Sequence, residues 1–226
     1  MLRAVVFDLW NTLVHSRGGD PFRHLGAFMT PEQIVHLPAM ERDAMSRRYE
    51  SAQAFLAGWR VLLGLGAEQH RAMAEVLEQA ATDAECYPEA QDALAAVRSI
   101  ARTALLSNTQ SFDMAFLERL ELAFPAGQRF LSAELGVLKP DRAAFEAVQA
   151  RMGLFPGELA MVGDSWDDDV RGALDAGWTA IWLNRDGRPR PAHDPEADLI
   201  EVRDLAQVPV AIAALQAGAR CNTCLG

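Results

Sequence analysis

Polar residues stand where the apolar runs of this chain stop. Asp8 closes the run Ala4-Val5-Val6-Phe7 in "VVFDLWNTLV", and Ser107 and Asn108 follow Leu106 in "ALLSNTQ". Asp164 follows "LAMVG", with Asp168 and Asp169 close behind in "SWDDDV", and Lys139 lies in "ELGVLKPD". Carboxylates gathered at one place resist ionising together unless a cation compensates them. A divalent ion does so, and an all-oxygen donor set suits Mg²⁺, which keeps several waters and takes few carboxylates. Lys139 adds a second positive charge, and the Ser107 hydroxyl with nearby backbone N–H groups offers donors to an anion. Together these residues describe a pocket for a phosphoryl group beside a carboxylate able to attack it. Any one motif alone reads equally well as a helix N-cap or a solvated helix start. Four of them, in order and at strand ends, do not. Lys139 is also the one lysine among 21 basic residues, so its ammonium group calls for a chemical reason that arginine does not meet.

These groups converge only if the runs before them are strands of one sheet. The segments 4–7, 103–106, 159–162 and 179–183 are short, apolar and β-rich, with a weaker fifth at 198–200. Helical patterns lie between them: 141–152, with Phe145 and Val148 on one face, and 168–176, stopped by Gly177. This alternation predicts an α/β fold with a Rossmann-like, doubly wound parallel sheet, whose strands end on one shared edge.

Residues 17–101 break the alternation. They show no convincing strand, but they carry apolar stripes at helical spacing: Met73, Val76, Leu77 and Ala80, and Phe55, Trp59 and Leu63. Stripes of this kind make a helix-bundle core. The expected organisation is an α/β core formed by 1–16 and 102–226, with 17–101 as an inserted helical cap domain whose loops reach over the sheet's carboxyl edge. Residues 184–198 read as a Pro-rich surface loop.

The chain has 226 residues, half of them apolar, with mean hydropathy near zero and a net charge of -10. That suffices for a sizeable core. The acidic balance argues against nucleic acid or an anionic membrane as partner and leaves a small-molecule anionic substrate open. No stretch reaches the roughly 20 apolar residues of a membrane span, and the N-terminal run is too short for a signal peptide. Three cysteines do not make a disulfide framework. Cys221 and Cys224 have the spacing of half a zinc site without a second half. A cytoplasmic protein, monomer or homodimer, is expected.

"VVFDLWNTLV", "ALLSNT", "GVLKPD" and "VGDSWDDDVRGALDAGW" resemble, in order, the four motifs of the haloacid dehalogenase superfamily, in the subgroup with a helical cap between the first two. The resemblance covers essentially the whole chain. It implies that Asp8 is a covalent nucleophile, that Ser107 binds the transferring group, and that Lys139 neutralises Asp8 and the substrate anion. It implies Mg²⁺ held by Asp8, the backbone carbonyl of Trp10 and Asp164, supported by Asp168 or Asp169. Ser107, Asn108, Trp10 and Lys139 would face the substrate.

Trp10 departs from that pattern. In the family's phosphatases the residue two after the nucleophile is an aspartate that protonates the leaving group. General acid catalysis is typically worth about 10² to 10⁴ in rate, so its loss weakens hydrolysis of alkyl phosphates and matters less for aryl or acyl phosphates. Dehalogenases of the family usually have tyrosine here, in the pattern Asp-x-Tyr-Gly-Thr, because halide leaves without a proton. Trp10 and the Ser107-Asn108 pair lean that way. The fourth motif leans the other way, because Gly163-Asp164 is kept and Asp167, Asp168 and Asp169 follow. Without a metal, Asp164 would repel both a substrate carboxylate and a departing halide. Three readings follow: a Mg²⁺-dependent phosphatase of a small phosphorylated metabolite, working through an aspartyl phosphate on Asp8; a metal-independent 2-haloacid dehalogenase with an ester on Asp8; and a non-catalytic binding or regulatory protein on the same fold. A substitute acid would come from the cap or from the loop after the first strand, where His15 is nearest.

Overall fold

The computed structural model describes residues 1–112, 114–122, 124–192 and 197–217. Cys221, Cys224 and part of the 184–198 loop lie outside the described residues. The described residues form eight strands: β1 (Ala4–Phe7), β2 (Val14–Ser16), β3 (Ala84–Cys86), β4 (Arg102–Ser107), β5 (Arg129–Leu131), β6 (Leu159–Gly163), β7 (Thr179–Leu183) and β8 (Leu199–Val202). Six of them form one parallel sheet in the order β5-β4-β1-β6-β7-β8. Counted within the sheet, that order is 3-2-1-4-5-6, the doubly wound Rossmann-like arrangement, and its winding reverses between β1 and β6.

The central strands are buried on both faces, which explains their continuous apolar runs. Successive side chains of β1 point to opposite sides. Val5 and Phe7 join Leu105, Ile181 and Ile212 on one face. Ala4 and Val6 join Leu106, Met161, Phe145, Trp178 and Trp182 on the other. Helix Arg142–Met152 lies on that second face and ends at Gly153, in the left-handed region at φ 65°.

Helices between Pro21 and Thr82 close over a third apolar cluster that includes Phe22, Leu25, Met40, Phe55, Leu56, Met73 and Leu77. Both expected stripes contribute, Met73, Leu77, Ala80, Phe55 and Leu63 being buried and Val76 and Trp59 partly so. Phe112, from the loop after β4, plugs into the same cluster.

The structure departs from the sequence reading at several places. A strand does lie within 17–101: β3 pairs antiparallel with β2, matching Ser16 with Ala84, and the Arg17 N–H donates to the Asp83 carbonyl. Three-residue strands are stabilised by their partner, so neither shows in its own sequence. Helix Ala90–Arg98 packs through Ala93, Leu94 and Val97 on the sheet and on helix Val208–Gln216 rather than on the helices of Pro21–Thr82. The short edge strand β5 was not expected, and β8 starts one residue later and runs further than 198–200. The segment 168–176 is not one α-helix. A wide π turn, Trp166–Arg171, precedes a short α-helical turn, Gly172–Asp175. Among the described residues no helix is long and apolar enough to cross a membrane.

Candidate active site

The carboxyl ends of β1 and β6 flank the point where the sheet's winding reverses, the usual place for a ligand crevice in open α/β sheets. Asp8 follows β1 and Asp164 follows β6. Asp169 is brought in by the π turn behind Asp164. One oxygen from each of these three side chains lies within 4.8 Å of the others. Lys139 Nζ donates to Asp8 Oδ1 and to Asp169 Oδ1, both at 2.6 Å, and its side chain is buried with theirs.

Small residues make this approach possible. A β-carbon on Gly163 would sit 2.1 Å from Asp169 Oδ2 and 2.3 Å from its carboxyl carbon. The Asp169 Oδ2 atom instead accepts from the Ser165 N–H at 3.0 Å, while Ser165 Oγ caps the turn by accepting from the Asp168 N–H. Wide turns of this kind insert one extra residue per turn and recur at functional sites. The turn brings Asp169 into the cluster, while Asp168 lines the cavity outside it.

Electrostatically the cluster lacks positive charge. Burial alone would lower the Lys139 pKa, but the charges of Asp169 and Asp8 reverse this and hold it above the ordinary lysine range. Asp164 is pushed up to about 6, first by burial and then by Asp8, with Arg188 and Lys139 pulling the other way. Burial also raises Asp169, which Lys139 opposes and Asp8 reinforces. One ammonium group does not neutralise three neighbouring carboxylates.

The other expected residues take varied positions. Asn108 lines the cavity but directs its amide to the Lys139 backbone, accepting from the N–H at 2.8 Å and donating to the carbonyl at 2.9 Å. It therefore positions the lysine. Ser107 was expected to face the substrate but is fully buried at the end of β4 and does not line the cavity, and its Oγ has no hydrogen-bond partner among the described residues. Trp10 packs against the Phe116 ring at 5.3 Å and donates its indole N–H to Thr109 Oγ1 at 3.1 Å. The backbone turns back at Asn11, in the left-handed region at φ 58°, and Asn11 donates to the Val14 carbonyl. No backbone hydrogen bond among the described residues ends on the Trp10 carbonyl. His15 lies against Tyr87, ring centroids 4.9 Å apart, and does not line the cavity.

A cavity of about 660 Å³ opens over this cluster. Asp8, Trp10, Lys139 and Asp164 line it from the sheet, and Glu41, Arg42 and Met45 line it from helix Leu37–Ser46. The sequence reading missed Arg188. Its guanidinium donates to the Asp164 carbonyl at 2.6 Å, lies over the Trp182 ring and borders the cavity. The Trp182 indole donates to the same carbonyl at 3.1 Å. Only the density of arginine in the 184–198 loop hinted at such a role.

Comparison with known proteins accords with this geometry. Residues 2–177 match the model of the haloacid dehalogenase-like hydrolase family. Phosphoserine phosphatase of Thermus thermophilus is 35% identical over 144 residues, which is 62% of this chain and 57% of that protein. The chain thus spans little more than half of that relative's length. Among solved structures, 2-haloacid dehalogenase from Pseudomonas syringae aligns over 95% of this chain and 100% of its own, with TM-score 0.68 and 23% identity. A phosphatase from Thermococcus onnurineus aligns over 93% and 98%, with TM-score 0.59 and 23% identity. Likeness at that identity speaks for the fold and not for the reaction. The chain belongs to the haloacid dehalogenase-like hydrolases.

Proposed function

We propose that this haloacid dehalogenase-like hydrolase is a Mg²⁺-dependent phosphatase acting on a small phosphorylated metabolite, with Asp8 as the nucleophile. The observation that carries the reading is the charge of the cluster: three carboxylates within 4.8 Å, two of them also touching a single buried lysine. A metal-free dehalogenase has no use for that excess of negative charge beside its substrate's carboxylate. A phosphatase that binds a divalent cation does.

The donors fit such an ion, being hard oxygens only. Asp8, Asp164 and the Trp10 carbonyl would hold it, with Asp169 in support. When bound, Mg²⁺ would supply charge stabilisation for the transferring phosphoryl group. The chain's own residues do the rest. The Asp8 carboxylate attacks phosphorus as the bond to the leaving oxygen breaks, and the resulting aspartyl phosphate is then attacked by water, which restores Asp8 and releases phosphate. Lys139 holds Asp8 in place through its hydrogen bond to Oδ1. The family resemblance, rather than the cavity lining, gives Ser107 Oγ a phosphoryl oxygen as its partner, the residue being buried behind Asn108 at the cavity wall. The helical layer between β2 and β3, read as a cap domain, covers the cavity and selects the leaving group.

The relative named as a phosphoserine phosphatase supports phosphoryl transfer as the reaction class. The test is hydrolysis of an aryl phosphate by the purified protein, with Mg²⁺ and then with excess EDTA, and with Asp8→Asn as control. Activity that needs both the metal and Asp8 is expected. Halide release from 2-haloacids in EDTA, with no phosphate release in either condition, would establish the dehalogenase instead.

A further inference from the structure

Trp10 leaves the proposed reaction without a proton donor at its usual place, because an indole N–H is a hydrogen-bond donor with no acidic proton to transfer, and here it is engaged by Thr109. The cavities show where a replacement must stand. The cavity over Asp8 adjoins a second one of about 410 Å³, which extends beneath the helical layer past Pro21, Phe22, Arg23 and Gln110. Five residues line both: Trp10, Asn11, Glu41, Met45 and Asn108. A phosphoryl group seated at Asp8 and Lys139, with its leaving group in the second chamber, has its breaking P–O bond between them at this junction. Of the five residues, only Glu41 carries an acidic proton.

We propose that Glu41, on helix Leu37–Ser46, is the general acid that protonates the leaving oxygen. The proposal rests on the phosphatase reading of the site. As the P–O bond breaks and its electron pair passes to the leaving oxygen, the Glu41 carboxyl group gives that oxygen its proton. The carboxylate left behind regains its proton from solvent, water hydrolyses the aspartyl phosphate with its proton passing to the released phosphate, and the cycle closes with alcohol and phosphate as products.

The surroundings of Glu41 suit this task. Its carboxyl group makes no hydrogen bond or ion pair among the described residues and is half-buried. Burial, and then the charge of Asp20, raise its pKa, while Arg23 opposes them. Asp20 and Arg23 belong to the neighbouring helix Pro21–Leu25 and its N-cap. Arg42, next along its own helix, is directed to Asp141 at 4.0 Å. Glu41 lines the same cavity as Lys139, Asp8 and Asp164. A donor carried by the helical layer reaches the leaving group only when that layer sits over the sheet, so proton transfer and closure coincide.

The experiment compares wild type, Glu41→Gln and Glu41→Asp on p-nitrophenyl phosphate and on a panel of alkyl phosphates, all with Mg²⁺. Glu41→Gln is expected to lower kcat for alkyl phosphates by about 10²-fold or more, with KM within a few-fold, and to erase the alkaline limb of their kcat–pH profile. Aryl phosphate turnover should stay within about 3-fold, since that leaving group needs little protonation. It also reports that the variant is folded. Glu41→Asp should restore part of the alkyl activity. Equal loss on both substrate types, no loss on either, or a wild type that turns over aryl but no alkyl phosphate would overturn the role of Glu41. A wild type inactive on aryl phosphate would instead remove the phosphatase reading beneath it.

Discussion

Replacing Asp164 by Asn removes one negative charge from the cluster and keeps the shape of the side chain. The backbone carbonyl that holds Trp182 and Arg188 is untouched. In metal-free protein, burial and then the charge of Asp8 push the Asp164 carboxyl from its ordinary value of about 4 up to about 6. Two units correspond to roughly 3 kcal/mol of unfavourable ionisation at neutral pH, and removing this charge also relieves Asp169. The sign follows from proton uptake. Between pH 4 and 6 the folded state binds more protons at this residue than the unfolded chain, so wild-type stability falls as pH rises through that window. The variant lacks this fall. Thermal unfolding in EDTA should therefore give nearly equal midpoints at pH 4, a gap that opens towards pH 6, and a constant gap above it. Asp164→Asn should end more stable by about 1–3 kcal/mol, or roughly 2–12 °C for a chain of this size. Added Mg²⁺ should raise the wild-type midpoint at pH 7.5 and leave the variant unmoved, and the variant should have lost its phosphatase activity. A gap equal at pH 4 and pH 7, or a variant less stable than wild type in EDTA, would refute the argument that these carboxylates lack a cation.

Other consequences can be checked with the same assays. Ser107→Ala removes a buried hydroxyl that has no partner, so stability should be unchanged or higher by about 1 kcal/mol, while kcat/KM for aryl phosphate falls at least about 10-fold if the hydroxyl binds a phosphoryl oxygen. Gly163→Ala forces a methyl group into Asp169. Denaturant unfolding should show a loss of about 3 kcal/mol or more, as a buried ion pair is displaced, with activity lost too. Lys139→Met leaves Asp8 and Asp169 without their shared cation, and its activity should be abolished at every pH, with a steeper loss of stability from pH 5 to 8 than in wild type.

The strands that carry chemistry were legible because each is a buried run ended by a polar residue. Val5, Val6, Phe7, Leu105, Leu106, Met161 and Val162 have at most 1% of their surface exposed, so their sequence reads as unbroken apolarity. β2, β3 and β5 were not legible, because pairing over a long sequence separation decides three-residue strands. Periodicity placed Asp168 and Asp169 in one helical turn and left the choice between them open. The π turn places Asp169 in the carboxylate cluster, and what makes that approach possible is Gly163, several residues away. Glu41 and Arg188 were invisible for a related reason. Each is one charge among several in a polar stretch, and only the packing of its element over the sheet's edge gives it a place at the cavity.

The ribbon formed by β2 and β3 has a consequence for how such a protein changes. Ser16 and Ala84 face each other as Cα partners, the chain leaving through one strand and returning through the other. From the sheet's side, everything in between has the footprint of a hairpin turn. A different helical body, longer or shorter, can be grafted onto the same two stems without moving β1, β4 or β6. Asp8, Lys139, Asp164 and Asp169 all lie outside the stems, whereas Glu41 lies between them. On the proposed reading, the reaction and the choice of leaving group are encoded in separable stretches of the chain, and a graft that changes the second would also have to bring its own acid.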